Sequence, residues 1–322
     1  MEYHIALISD DNYVLPTSVC IKSIIDSNSA CDGNKIVIHV CTFGLTDTNY
    51  KLFQKLNNEK IIVEINVFRK EDYEDKIKLI NQKTHVTPTA LIKFNLQNYF
   101  KNIDKLLYID GDIIVKNNII PLLEINIDNY YLAASFELWK YIECEKYKFG
   151  IGGNKFYFNS GVMLLNLHKL RIDNITEQLW DYKIYKAKTN LMDQESLNAV
   201  CGSKTLQIPI KWNFNPAFLS DIYIKSIFRI YGVKYDSIVN LEKDAAILHY
   251  VGTFDKPWKY KGARMSKYWL ETYQSMAKIE NINLKEIPKS NNLSHLIGRI
   301  KTFGVISIFG YMWYLLKNSI FK

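Results

Sequence analysis

Apolar positions along the 322-residue chain fall into two alternating patterns. Short runs of strand length are followed by longer stretches in which apolar residues recur at helical spacing, and this alternation is the mark of an α/β layer fold with mostly parallel strands. Strands are expected at His4–Ser9, Ile36–Cys41, Ile61–Val67, Lys105–Ile109, Tyr131–Ser135, Val162–Asn166 and Ala246–Tyr250. Helices are expected at Pro16–Ser27, where a proline sits near the start, and at Thr46–Asn57, Pro88–Phe100, His168–Tyr185 and Asp193–Val200. The chain carries no repeat and no low-complexity linker, and its length suffices for one large α/β domain without staples.

In such a sheet ligands bind beyond the carboxyl ends of the strands, where loops carry side chains and helix N-termini point inward. Polar residues gather at these exits: Asp10-Asp11-Asn12 after the first strand, Asp110-Gly111-Asp112 after Leu106–Ile109, and His249 at the close of the last. The end of the chain has a different pattern. Thr302–Leu316 is uncharged and strongly aromatic, yet shorter than the roughly 20 residues that span a bilayer as a helix.

Charge sharpens the picture of that tail. The net charge is +8, and from Ile287 to Lys322 there are five basic residues (Lys289, Arg299, Lys301, Lys317, Lys322) and no acid. A basic, aromatic segment suits the surface of an anionic membrane, and the alternative is a C-terminal helix packed on the domain or on another copy. This placement of the charge disfavours nucleic acid, which calls for a basic face interleaved with aromatics. Five widely spaced cysteines with no Cys-x-x-Cys pair indicate neither a disulfide framework nor a zinc knuckle. The start, Met1-Glu2-Tyr3-His4, has an acid where a signal peptide carries positive charge, so a cytoplasmic protein is expected.

Asp110-Gly111-Asp112 sets two carboxylates at i and i+2, on one side of an extended segment, with a glycine between them that lets a ligand near the backbone. Chance alone yields about one Asp-x-Asp in a chain of this composition, so the motif gains its weight from the strand exit it occupies. Carboxylates suit Mg²⁺ or Mn²⁺, and the imidazole of His249 tilts the set toward Mn²⁺. Gly252 and Lys256, downstream in His249–Trp258, supply a close-approach glycine and a cation, and with the paired acids they outline a clamp for a diphosphate. Asn159 and Ser160, in Phe158-Asn159-Ser160-Gly161, read as a turn or as short polar groups for sugar hydroxyls. Asp193-Gln194-Glu195 reads first as a helix N-cap with acids in the first turn. Spacing alone supports a metal-dependent enzyme acting on a nucleotide or phosphate.

These segments in this order resemble glycosyltransferase family eight, and the likeness runs from about His4 to Trp258. The resemblance implies a Rossmann-like GT-A domain with a mostly parallel mixed sheet, and transfer of galactose or glucose from a UDP-sugar with retained configuration. It implies that Asp10, Asn12 and Tyr13 hold uracil and ribose, that Asp110, Asp112 and His249 bind Mn²⁺, and that Gly252 and Lys256 meet the diphosphate. Asn159 and Ser160 would hold the ribose or donor sugar, Asp193 would take its hydroxyls, and Gln194 would lie beneath its anomeric carbon. Gly111 belongs to the same donor loop, and His85 matches a position near donor and acceptor. Three departures stand out: Lys93 replaces an arginine, Ser160 replaces an alanine, and Gly252–Lys256 is one residue longer than in many members.

The resemblance also frames the chemistry. Because an amide carbonyl is a poor nucleophile, departure and attack on one face are expected, with Glu195 second as a covalent candidate. Residues 1–280 are expected to form the catalytic domain and 281–322 a membrane-association segment. The acceptor would be a saccharide, such as a lipid-linked lipooligosaccharide or lipopolysaccharide core, at the inner face of the cytoplasmic membrane. Rival readings are a nucleotidyl- or pyrophosphoryl-processing enzyme, weakened by the lack of a P-loop, and a catalytically dead UDP-sugar-binding protein.

Overall fold

The computed structural model describes residues 1–29, 33–80, 87–137, 157–187, 193–218, 224, 227–228, 230–252, 256–259, 263–276 and 279. Its spine is a seven-stranded sheet in the order β3-β2-β1-β4-β7-β6-β8. β1 (Glu2–Ile8), β2 (Lys35–Thr42), β3 (Ile61–Val67) and β4 (Lys105–Ile109) run parallel. β6 (Leu132–Phe136) and β8 (Thr205–Gln207) are parallel to each other, and β7 (Phe158–Asn166) runs antiparallel to both β4 and β6. The expected mostly parallel mixed sheet is therefore present.

The near-continuous apolar character of the central strands follows from burial on both faces. Along β1, Ile5 and Leu7 enter one core with Ile21, Ile24 and Phe53, whereas Ala6 and Ile8 enter a second with Phe94, Tyr108 and Trp180. Successive side chains on a strand point to opposite faces, so one run feeds two cores. The first core contains side chains from α1 (Val14–Ser27) and α2 (Asp47–Gln54). The second takes in Tyr73 of α3 (Glu71–Lys78) and Leu96 of α4 (Leu96–Tyr99). The short α5 (Ile120–Leu123) follows β5 (Ile113–Val115), and α6 (Leu167–Ile172), α7 (Ile175–Tyr185) and α8 (Gln194–Cys201) follow β7. A third core, with Phe214, Leu248, Tyr250 and Trp269, includes residues of α9 (Ile238–Asp244) and α10 (Ser266–Met276).

Several expected elements differ in detail, each for a local reason. The helix expected at His168–Tyr185 is two, because Asn174 adopts the left-handed conformation (φ 48°) between α6 and α7. The first two turns of the helix expected at Pro88–Phe100 are 3₁₀, over Pro88–Asn95. β7 begins at Phe158, so the segment read as a turn, Asn159-Ser160-Gly161, lies within a strand, where the β6–β7 register shifts between Ala134 and Phe136. Two three-residue strands, β5 (Ile113–Val115) and β8, escaped the pattern. β5 pairs antiparallel with β9 (Ile247–His249) in a separate two-stranded sheet. Among the described residues no helix is long and apolar enough to cross a membrane, and 281–322 lie outside them.

Candidate active site

The reversed direction of β7 sets the geometry of the site. Its first residues lie at the same rim as the last residues of β1 and β4, because Ile109 pairs with Val162 and the Asp110 N–H donates to the Gly161 carbonyl (2.8 Å). Asn159, Ser160 and Gly161 thus face the loop of the paired acids. The small sheet brings the third component: Ile113 pairs with His249, and the Tyr250 N–H donates to the Asp112 carbonyl (3.0 Å).

Asp110, Asp112 and His249 consequently meet, each offering one ligand atom, with these atoms all within 4.8 Å of one another. His249 Nε2 lies 3.2 Å from Asp112 Oδ1 and 3.6 Å from Asp110 Oδ2. His249 and Asp112 are buried, and Asp112 Oδ1 has no hydrogen-bond partner among the described residues. An orphaned buried carboxylate oxygen beside an imidazole nitrogen and a second carboxylate is a donor set that fits a divalent cation of the Mg²⁺ or Mn²⁺ kind. Gly161 is required here: a Cβ on it would stand 2.1 Å from His249 Cε1 and 2.8 Å from Asp110 Oδ2.

Two lysines balance the acids. Lys93, buried, reaches Asp110 Oδ1 (3.1 Å), donates to Asp193 Oδ2 (2.7 Å) and to the Ser160 carbonyl (3.4 Å), matching the three protons of an ammonium. Burial would lower its pKa, but Asp110 and Asp193 outweigh burial and raise it. Lys256 contacts Asp112 Oδ2 and stands 3.4 Å from the Tyr13 hydroxyl. Burial would raise the Asp112 pKa, yet the Lys256 ammonium beside it holds this carboxyl well below the usual range.

Asp193 occupies the N-cap position of α8, but its carboxylate makes no capping bond there. It is taken by Lys93 and by the Ser160 hydroxyl (2.9 Å), so Asp193 holds the N-cap position while its side chain faces β7 and Lys93. Gln194 Oε1 accepts the Ser160 N–H (3.1 Å), and Asn198, one turn on, accepts the Phe158 N–H and donates to the Phe158 carbonyl. Two amides at i and i+4 thus satisfy the β7 backbone where its pairing with β6 is irregular, which locks α8 against the rim.

The profile of glycosyl transferase family 8 matches residues 4–262. This chain belongs to that family. Among its relatives, the lipopolysaccharide glucosyltransferase WaaO of Escherichia coli is 26% identical over 263 residues, 79% of this chain and 72% of the relative. The lipopolysaccharide 1,3-galactosyltransferase of Salmonella typhimurium is 26% identical over 282 residues, 84% and 77% of the two chains. In fold, the chain is similar to galactosyltransferase LgtC, solved with donor and acceptor sugar analogs. The TM-score is 0.67 and the identity 23%, over 88% of this chain and 98% of that one. The resemblance read from the motifs is thereby shown, and with it a GT-A-type fold, glycosyltransferase activity, and the family's use of a nucleotide-sugar donor and a divalent metal.

In this family 8 glycosyltransferase the remaining expected residues separate by contact. Tyr13 stands beside Lys256, and burial, then Asp112 and Asp110, push its phenol well above the ordinary value, so it is neutral. Asp10 accepts the Asn12 N–H (3.0 Å) and shapes the turn after β1. Its neighbour Asp11 turns away to Thr46 and Asn49 at the start of α2. Gly111 is explained by packing, since a Cβ there would lie 2.3 Å from Thr17 Oγ1 of α1. Gly252 has φ 88° with open space around it, a backbone demand and not a crowded one. His85 and residues 253–255 lie outside the described residues. Glu195, the covalent candidate, is 1% exposed, and the Tyr182 hydroxyl of α7 donates to it at 3.4 Å. Sequence reasoning missed Asn213, whose Oδ1 lies 2.9 Å from His249 Nδ1, and Tyr108, whose hydroxyl donates to Asp110 Oδ1 (2.6 Å). Neither sits in a motif or at a strand exit.

Proposed function

We propose that this glycosyltransferase moves galactose or glucose from a UDP-sugar to a saccharide acceptor with retention of configuration, using Mn²⁺. The observation that carries the reading is the meeting of Asp110, Asp112 and His249 with Asp193, Gln194 and Lys93 on one rim. Asp110, Asp112 and His249 would hold the cation, which supplies Lewis-acid stabilisation of the departing diphosphate when bound. Lys256 adds a fixed positive charge beside that position, in a setting where preorganised charge is effective because it need not reorganise. Tyr13, with Asp10 and Asn12 in the turn after β1, is the wall for uracil and ribose. Asp193, held by Lys93 and Ser160, accepts from hydroxyls of the donor sugar.

Retention by double displacement needs a nucleophile beneath the anomeric carbon. Gln194 already uses its carbonyl on the Ser160 N–H, and Glu195 is buried against α7. These two facts favour departure and attack on one face, with the leaving phosphate helping to take the acceptor proton. The names of the relatives suggest a lipopolysaccharide- or lipooligosaccharide-type acceptor. We assign residues 1–280 to catalysis and 281–322, basic and aromatic, to association with the anionic inner face of the cytoplasmic membrane.

UDP release from purified protein supplied in turn with UDP-galactose, UDP-glucose and their N-acetyl forms tests the reading, with Mn²⁺ or with a chelator. Manganese-dependent release from a single donor is expected. If no donor is hydrolysed and UDP does not bind, phosphorus chemistry becomes the better account. Removal of residues after Ile287 should abolish pelleting with anionic liposomes; pelleting unchanged by that truncation would overturn the role of the tail.

A further inference from the structure

Behind the three metal-binding side chains runs a line of buried amides that ends on His249. Asn159 and Asn213 are 9% and 8% exposed. The Gly161 N–H faces Asn159 at 2.9 Å, and a backbone N–H can only donate, so the Asn159 atom it meets is Oδ1. Asn159 Nδ2 then faces Glu137 Oε2 (2.8 Å), an acceptor in a carboxylate, which agrees with that orientation. The same Asn159 Oδ1 accepts from Asn213 Nδ2 (2.9 Å), and this turns Asn213 Oδ1 toward His249 Nδ1 (2.9 Å).

That oxygen can only accept, so His249 Nδ1 carries a proton. The consequence falls on the opposite nitrogen. With the reverse tautomer, Nε2–H would point at Asp112 Oδ1, 3.2 Å away, and a direct hydrogen bond would occupy the place of the cation. We propose that Glu137, Asn159 and Asn213 form a positioning relay that fixes His249 as the Nδ1–H tautomer and keeps Nε2 bare for a divalent cation. The proposal rests on the reading of Asp110, Asp112 and His249 as metal ligands. Asn159 is thereby given a second duty besides any contact with donor, and its amide serves the imidazole through Asn213.

The test uses the full chain. Nitrogen-15 spectra of the wild-type protein, labelled at histidine and recorded without metal, should show His249 Nδ1 protonated; a bare Nδ1 overturns the relay. Mn²⁺ titration followed by electron paramagnetic resonance should show Asn213→Leu binding about 10- to 100-fold more weakly than wild type. Glu137→Gln keeps an acceptor opposite Asn159 Nδ2 and should bind close to wild type, whereas Glu137→Leu should not. Equal Mn²⁺ affinity in wild type and Asn213→Leu also overturns the proposal, and should that variant fail to fold, the wild-type spectrum decides. Failure of the underlying reading looks different: Nδ1 protonated and Mn²⁺ bound, but no UDP-sugar turnover, leaves the relay standing and removes the transferase.

Discussion

Two clusters built around a buried histidine, His39 and His249, sit in the same fold, and they treat their lone pairs in opposite ways. On β1 and β2, His4 Nδ1 and His39 Nε2 face each other at 3.1 Å with the rings stacked, and the outer nitrogens lie near Glu2 and Glu64. Each ring there meets a partner on both sides. At the rim, Asp110, Asp112 and His249 turn acceptors toward one point, and a carboxylate oxygen is left orphaned. Satisfied polar burial supports the fold, whereas convergent unsatisfied acceptors mark a place for something else. The first cluster should therefore answer to pH and denaturant, and the second to metal and substrate.

The largest effect is expected at the rim. Asp110 Oδ1 is fixed as an oxygen by the Tyr108 hydroxyl and Lys93, so Asp110→Asn would place its new Nδ2 toward His249 Nε2, a compatible neighbour. The melting temperature should hardly change while donor turnover falls by about 10³-fold, the scale of several kcal/mol of lost Lewis-acid stabilisation. Turnover near wild type would erase the contrast between the clusters.

A smaller effect belongs to the histidine pair and appears in stability. Burial, with His4 second, lowers the His39 pKa from 6.5 to about 4, and burial also lowers that of His4. A base whose folded pKa is depressed contributes stability that is present above its unfolded pKa and is lost as pH falls toward the folded value. Stability should then decline between about pH 6.5 and 4, by up to ~3 kcal/mol for His39 alone. Urea unfolding across that window measures it, and His39→Phe should flatten the slope; an equal slope in the variant would mean that carboxylates elsewhere dominate.

The smallest effect concerns Ser160. Its hydroxyl shares Asp193 with Lys93, so Ser160→Ala removes one of two donors and should cost about 1 kcal/mol, or roughly fivefold in kcat/KM. A loss as large as that of Asp110→Asn would make Ser160 a principal donor contact.

How far these features could be read from the chain depends on how far apart their parts lie. Strands β1 to β4, β6 and β7 were legible because burial on both faces writes an apolar run, β9 because the apolar run Ala246–Leu248 leads through it, and Asp110 and Asp112 because they end one. β5 and β8 were not, since three residues carry no period, and yet β5 is what sets His249 beside the acids. The break at Asn174 was hidden because a single left-handed residue leaves the apolar spacing on either side nearly intact. Asn213 was invisible for a different reason: its partners lie 36 and 54 positions away, and no local pattern announces a contact made only by folding. Lys93 was legible by likeness, but its service to two acids at once was not.

That shared ammonium has a thermodynamic consequence. Lys93 divides one positive charge between Asp110 and Asp193, which the proposed function places on the metal side and the sugar side. A ligand that draws Asp110 into its own field changes how strongly Lys93 holds Asp193, and the reverse exchange must have the same free energy. In the proposed reading cation and donor sugar are thus linked through a single nitrogen, and occupancy at either end is felt at the other.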